Sequence, residues 1–526
     1  MKNIFTKKKF TKINCALLCL LATTFQVTSC ASTNQDEAID AYVYIKESPQ
    51  LKPYNPMIFG GFVEHFNKQV YGGIFNPGST LSDKHGFRLD VLEALKELRI
   101  PVVRWPGGCF VDSYHWINGV GKNRKPMDDI RWGVIEPNTF GTNEFVEFCH
   151  LLGAEPYICH NGLADIQEMA DWVAYCNQKE GKWAKQRKDN GYEEPHKVQF
   201  WSVGNERGGK EYIERVREGA IAMKSIDSGV KVTCSGTHGA GEIDPYLFER
   251  AGDYLDLISI HQYWIHNFEV HQTPNYLDCI LLSDEPEKFI TAVVHSLDAN
   301  GKRGKIKLAF DEWNLRSWHH PGFPRDSKSD YESEETKNLL KQRDKSLNNR
   351  IYTMADALFS ASFLNACLRH SDDVEMANVA PMVNQTGPLY VDSTHIVRRP
   401  HFYTMELYAN ALEKYVVNAT VMSDSIGNDA KSIPTVDALV TKGEGNKWVI
   451  SVVNRNSQHN TICNIKIGDY LPDGKFEAIL LTGDSVDTYN DVDNPDRVIP
   501  QHKKVDINKG NIELPPHSLT FIQINK

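Results

Sequence analysis

The chain of 526 residues predicts an α/β fold, a (β/α)8 TIM barrel with a C-terminal all-β sandwich or jelly-roll domain. Three observations predict it. From Met57 onward, eight short runs rich in β-branched and aromatic residues are each followed by a stretch of helical periodicity. Several of these runs end in a carboxylate, amide or arginine, which is where such barrels carry their chemistry. Beyond about Tyr415 the helical periodicity stops, and short alternating strands with Gly, Asn and Asp turns take over. A doubly wound open sheet is disfavoured by the strand count and by the lack of a G-x-G-x-x-G fingerprint.

In order, residues 1–29 read as an export signal, with the basic KKKFTK ahead of the apolar CALLCLLATTF and small residues at Thr28-Ser29. The apolar run is short of the roughly 20 residues that span a bilayer. Cys30 directly after small residues resembles the lipobox of bacterial lipoproteins, which implies cleavage before Cys30 and lipidation on it. A lipid at the N-terminus would be the chain's one hold on a membrane, periplasmic or at the cell surface. Residues 30–40 then form a polar tether. The YVYI run within 41–50 is an isolated strand expected to join the distal β domain.

The barrel occupies 51–410. MIFGGFVEHF is its first strand, and Phe87 to Ile100 a helix with apolar residues at helical spacing. PVVRWPGG, EPYICHNG, VQFWSVGNERGG, VKVTCSG, LDLISIHQYW, KIKLAFDEWN and MANVAPMVN supply strands two to eight. A polar, charged insertion from Pro321 to about Asn349 precedes the long helix RIYTMADALFSASFLNACL. Residues 411–526 are the β domain.

The bulk numbers exclude one class of partner. Five lysines in the first 29 residues take part in a formal charge of −10, so the chain without them stands at −15. Nucleic-acid binding rests on Lys and Arg neutralising phosphates, and this balance argues against it. Of 11 cysteines, the eight beyond Cys30 are widely spaced, contain no C-x-x-C pair and lie mostly in apolar runs. They read as buried thiols rather than a disulfide framework.

Aligned on the barrel, the strand ends present Glu64, Arg104 to Gly108, Asn161, Asn205 and Glu206, His261 and Tyr263, and Glu312. Glu206 and Glu312 end strands four and seven, roughly opposite across the mouth. Such a pair suits glycoside hydrolysis, one carboxylic acid protonating the leaving oxygen while the other carboxylate attacks the anomeric carbon. Taken alone, the NE pair is better explained by a solvated turn. His261, His266 and His271 are five residues apart, which fits no single helix face, so no catalytic metal is expected, nor any cofactor.

FGGFVEHF, VYGGIFNPG, VVRWPGGCFVDSYHWINGVG, WSVGNE, ISIHQYW, FDEWN and MANVAPMVN follow one another at barrel spacing. Together they resemble glycoside hydrolase family 51, the retaining α-L-arabinofuranosidases of clan A, over about Met57 to Tyr408. The resemblance implies Glu206 as general acid/base and Glu312 as nucleophile. It implies that Glu64 and Asn205 bind furanose hydroxyls, that Arg104 orients Glu312 and holds it ionised, and that Tyr263 hydrogen-bonds it. Trp132 would shape the leaving-group side and Cys109 would touch the sugar, while His261 would orient Tyr263 or Glu206. The expected activity is exo-acting removal of terminal arabinofuranosyl groups from plant arabinan or arabinoxylan, in a chain that can assemble as a homo-oligomer. The alternatives are an endo-acting β-glucanase or xylanase of the same clan, and a non-catalytic glycan-binding lipoprotein. LRSWHHPGF after DEWN departs from the family pattern and leaves the outer subsites open, and Arg398 and Arg399 near the eighth strand stand where relatives vary, which leaves that loop's contribution open.

Overall fold

A computed structural model describes residues 39–47, 51–129, 131–132, 134–238, 241–266, 275–317 and 345–526, with 334, 337, 338 and 341 between the last two. The export signal, Cys30, nearly all of the tether, His271 and most of the 321–349 insertion lie outside the described residues. Among those described, no helix is long and apolar enough to cross a membrane.

Eight parallel strands close into a barrel in sequence order: β1 Gly60–Phe62, β2 Val102–Trp105, β3 Glu155–His160, β4 Phe200–Val203, β5 Lys231–His238, β6 Leu257–Ile265, β7 Lys307–Arg316 and β8 Val374–Val379. The first strand is far shorter than the run MIFGGFVEHF suggests. Asn55 accepts from Met57 N–H with Pro56 next to it, so Pro56–Phe59 coils into a 3-10 turn before the strand starts. Two glycines then close the circle. A Cβ on Gly60 would stand 2.8 Å from both Asn378 Nδ2 and Val102 Cγ1, so only a bare backbone fits between β8 and β2. Val102, Tyr157, Phe200, Leu257, Ala309 and Met376 pack as one apolar cluster inside the strands. It plugs the interior and leaves the carboxyl ends for polar groups.

The helices α1 Leu89–Glu97, α2 Thr142–Leu152, α3 Ile166–Asn177, α4 Lys182–Asp189, α5 Lys210–Ile226, α6 Pro245–Arg250, α7 Tyr276–Ile280, α8 Glu285–Ala299, α9 Met354–Arg369 and α10 Pro400–Ala411 fill the connections. The first is trimmed relative to the predicted Phe87–Ile100. The long helix starts only at Met354 because Thr353 caps it, its hydroxyl accepting from Ala355 N–H while Asp356 reaches back to Thr353 N–H. Every α9 residue from Met354 to Leu368 is buried. That explains its lack of a polar face: it lies between the barrel and the β domain.

The β domain packs a four-stranded sheet against a seven-stranded one. Ala41–Ile45 is an inner strand of the smaller sheet, antiparallel to Ala419–Ser423 and parallel to Thr461–Ile467. Its alternating Ala41, Val43 and Ile45 enter the sandwich core with Val440, Trp448, Ile450 and Ile522. Across the junction with the barrel, Asp437 takes Asn365 Nδ2 at 2.9 Å and Arg369 Nη1 at 3.0 Å. All eight described cysteines are free, seven of them buried.

Candidate active site

Glu206 stands three residues past β4. Gly204 (φ 72°) lets the chain turn beside Gly162, and Glu206 itself takes a left-handed backbone, φ 48°. That conformation is uncommon outside glycine and concentrates where surrounding contacts enforce it. Two contacts do so here. His261 Nδ1 lies 2.9 Å from Glu206 Oε1, and Arg207 reaches Asp112 through Nε at 3.0 Å and Nη2 at 2.8 Å.

Glu312 faces it from β7. Arg104 Nη1 donates to Glu312 Oε1 at 2.6 Å, Tyr263 OH donates to Oε2 at 2.8 Å, and His261 Nδ1 is 3.6 Å from Oε1. Facing oxygens of Glu206 and Glu312 lie within 4.8 Å of one another. Arg104 also donates from Nη2 to Asn205 Oδ1 at 2.7 Å, and Nε forms an ion pair with Asp311 Oδ2 at 3.2 Å without hydrogen-bond alignment. With its carbonyl oxygen committed, Asn205 offers its amide nitrogen to the cleft. Gly108 keeps the centre open, since a Cβ there would sit 2.9 Å from Glu312 Oε1 and 3.5 Å from Asn205 Nδ2.

Glu64 is fully buried just past β1. Its Oε1 accepts from Gly108 N–H (3.1 Å), Phe110 N–H (2.9 Å) and Trp132 Nε1 (3.0 Å), while Oε2 has no hydrogen-bond partner. Burial pushes its pKa up to about 8, opposed by the Phe110 and Trp132 donors and reinforced by the charges of Glu312 and Asp129. The carboxyl is therefore an acid at neutral pH, able to donate from Oε2 to a hydroxyl oxygen. Trp132 is buried, its ring 3.9 Å from that of Phe66. Its place is beside Glu64, with no open face presented as a platform. It arrives on a small hairpin, Met127–Asp129 with Val134–Glu136, that the sequence pattern does not reveal.

Cys109 is half-buried in a 3-10 turn at the mouth. Burial and then the charges of Glu64, Glu206 and Glu312 hold its thiol well above the ordinary range, so it stays protonated and is no nucleophile. Arg398 pairs with Glu97 on α1, and buried Arg399 donates to the carbonyls of Gln385 at 2.6 Å and Gly387 at 2.8 Å. Both brace the wall and neither is part of the carboxylate cluster.

Glu206, His261 and Glu312 are the one group among the described residues with metal-ligand spacing. Although burial opposes its charge, Glu312, Asp311 and Glu206 together hold His261 up to about 10, so in this arrangement the imidazole is protonated and paired with the carboxylates. Glu312 Oε1 is already engaged by Arg104.

The sequence reading passed over several members of this cluster. Asp311, inside the DEWN motif, is fully buried and accepts from Tyr157 OH at 2.8 Å and Ser259 Oγ at 2.6 Å. His65, next to Glu64, is held between Glu136 Oε2 at 2.7 Å and Trp105 Nε1 at 2.8 Å. Only the D of DEWN gave any local signal. The others depend on which strands become neighbours.

Comparison with known proteins places this geometry. A probable α-L-arabinofuranosidase C of Aspergillus fumigatus is 32% identical over 514 residues, covering 91% of this chain and 96% of that protein. The chain belongs to the family 51 α-L-arabinofuranosidases. The α-L-arabinofuranosidase 1 domain matches residues 94–279 and the α-L-arabinofuranosidase C-terminal domain residues 311–518. An intracellular exo-α-(1→5)-L-arabinofuranosidase of Acetivibrio thermocellus is 30% identical, covering 88% of this chain and 94% of that one. Among solved structures, a family 51 α-L-arabinofuranosidase from Bifidobacterium longum superposes with a TM-score of 0.81 at 28% identity, over 93% of this arabinofuranosidase and 99% of that chain. The arabinose complex of the Thermotoga maritima enzyme gives 0.79 at 29%, over 92% and 100%.

Proposed function

We propose that this α-L-arabinofuranosidase works by double displacement with retention, Glu312 attacking the anomeric carbon and Glu206 serving as acid and then base. The observation that carries the reading is the carboxylate pair, with facing oxygens within 4.8 Å. Retaining glycosidases hold their carboxyls about 5–5.5 Å apart, whereas inversion needs about 6.5–9.5 Å to admit water between carboxylate and sugar. In the first step Glu312, steered by Arg104 and Tyr263, bonds to the anomeric carbon as Glu206 gives its proton to the departing oxygen. In the second, Glu206 takes a proton from water, which attacks the same carbon and releases Glu312. Glu64 and Asn205 hold the ring through its hydroxyls.

The substrates are terminal arabinofuranosyl groups on plant arabinan or arabinoxylan oligosaccharides. Proton NMR at early times should show the α anomer first, and an initial β product would sink the mechanism. Product analysis on arabinan, arabinoxylan and β-glucan settles the polymer: arabinose release supports the exo reading, and a fall in glucan viscosity the endo alternative. Glu312→Ala should abolish turnover.

The N-terminal sequence supports an exported form lipidated at Cys30 and held to a bacterial membrane by that lipid. Cys30→Ser should move the protein from the membrane to the soluble fraction. Assembly as a homo-oligomer, implied by the resemblance, is read by light scattering.

A further inference from the structure

Glu206 must carry a proton when the leaving group departs, yet it is paired with a histidine able to hold that proton instead. Nδ1 of His261 is 2.9 Å from Glu206 Oε1. The other ring nitrogen is tied down. Ser259 Oγ donates to Asp311 Oδ1 at 2.6 Å, so its lone pairs accept from His261 Nε2 at 2.9 Å, and Asp311 Oδ1 itself lies 3.3 Å from Nε2. Nε2 therefore carries a hydrogen in either charge state, and a single proton is left to divide between Nδ1 and Oε1.

We propose that Asp311, acting through Ser259, is a positioning residue that fixes His261 so that Glu206 Oε1 and His261 Nδ1 share the acid's proton. The inference rests on Glu206 being the acid/base. As the glycosidic oxygen comes within reach of Glu206, the proton on Nδ1 crosses to the carboxylate and Glu206 passes one to the leaving oxygen. His261 is left neutral with Nε2–H kept by Ser259 and Asp311. When Glu206 later takes a proton from water, sharing with Nδ1 is restored, so the cycle gains and loses no charge.

Arg104 on β2, Tyr157 and Cys159 on β3, Cys234 on β5, and Ser259 and His261 on β6 surround Asp311, with Glu312 next to it in the chain. Burial opposes its charge, but Arg104, His261 and Ser259 outweigh that and hold the carboxyl down to about 2. It is thus anionic throughout the working range, and its charge is one of those that keep His261 protonated. Removing it leaves burial, which lowers the histidine, with less opposition.

Asp311→Asn changes charge at nearly constant shape. It should cut kcat/KM on an alkyl arabinofuranoside by about 100-fold while leaving a 2,4-dinitrophenyl arabinofuranoside within about fivefold, because a good leaving group needs little protonation. The basic limb of kcat/KM should also move to lower pH. Disturbance acting through Arg104 and the nucleophile would depress both substrates alike. Equal losses, or an unmoved basic limb, overturn the proposal. Should Asp311→Asn not fold, Ser259→Ala faces the same two criteria. Glu206→Ala is measured beside them. Selectivity in Glu206→Ala with none in Asp311→Asn overturns this inference alone, and an unselective Glu206→Ala overturns the acid assignment and this inference with it.

Discussion

Glu64→Gln should make the enzyme more stable at neutral pH while weakening it as a catalyst. Glu64 is fully buried, and burial, Glu312 and Asp129 raise its pKa from 4.5 to about 8. A carboxyl whose folded pKa is raised leaves stability untouched below about pH 4.5, where both states are protonated. Between there and about pH 8 the unfolded chain ionises and the folded one does not, so stability falls as pH rises. At pH 7 the loss is about 3 kcal/mol, from roughly 1.4 kcal/mol per pH unit over that interval. Glutamine keeps a carbonyl oxygen for the Gly108, Phe110 and Trp132 donors and has nothing to ionise. Thermal unfolding of both proteins at pH 5, 6, 7 and 8 is the assay. The variant's advantage should be below about 1 kcal/mol at pH 5 and widen by about 1.4 kcal/mol per unit toward pH 7, reaching about 3 °C in Tm there for a chain of this length. A gap that ignores pH, or a variant less stable than the parent at pH 7, refutes the reasoning. The price should show in KM, since a hydroxyl that meets an O–H in the parent meets an amide in the variant.

Other expectations follow from the same contacts. Glu206→Ala should lower kcat/KM on unactivated arabinosides by about 10²–10⁴-fold, and much less on dinitrophenyl arabinofuranoside, read by initial rates. Gly108→Ala should fold normally by circular dichroism yet lose arabinose binding in calorimetry, because its Cβ would sit 2.9 Å from Glu312 Oε1 in the space meant for sugar. Asp437→Ala should leave activity at 25 °C intact and lower Tm, since Arg369 and buried Arg455 would lose their shared carboxylate, a loss of about 3–5 kcal/mol. Burial opposes the Asp437 charge, but Arg369 and Arg455 hold its pKa below 3.8. The parent's advantage is therefore full above that value and fades as pH falls through the depressed one.

The sequence made the strand order and the two opposed carboxylates legible, because each sits in a run whose period and end are local signals, whereas the Arg104–Tyr263 support of Glu312 was legible only through the resemblance to family 51. What stayed hidden depends on neighbours across the barrel. Asp311 looks like one more polar residue beside Glu312 until β7 lies against β6, and Ser259 and His261 turn out to face it. The hairpin carrying Trp132 is three residues per strand, too short for any alternation to show. The first strand was overread because glycines that close the barrel leave no hydrophobic period of their own, and the Asn55 cap steals its opening residues for a turn.

The strand Ala41–Ile45 has a consequence for how the molecule comes into being. Its antiparallel partner is Ala419–Ser423 and its parallel partner is Thr461–Ile467. At roughly 5–20 residues per second of synthesis, it waits about 20–80 s before the first of those neighbours emerges. Throughout that interval an apolar five-residue strand has no edge to join, and the last barrel strand, β8, emerges before either of its neighbours does. The sandwich core therefore closes only after an early segment of the chain is inserted between two late ones. A factor that covered Ala41–Ile45 during that wait would act on folding without ever touching the cleft.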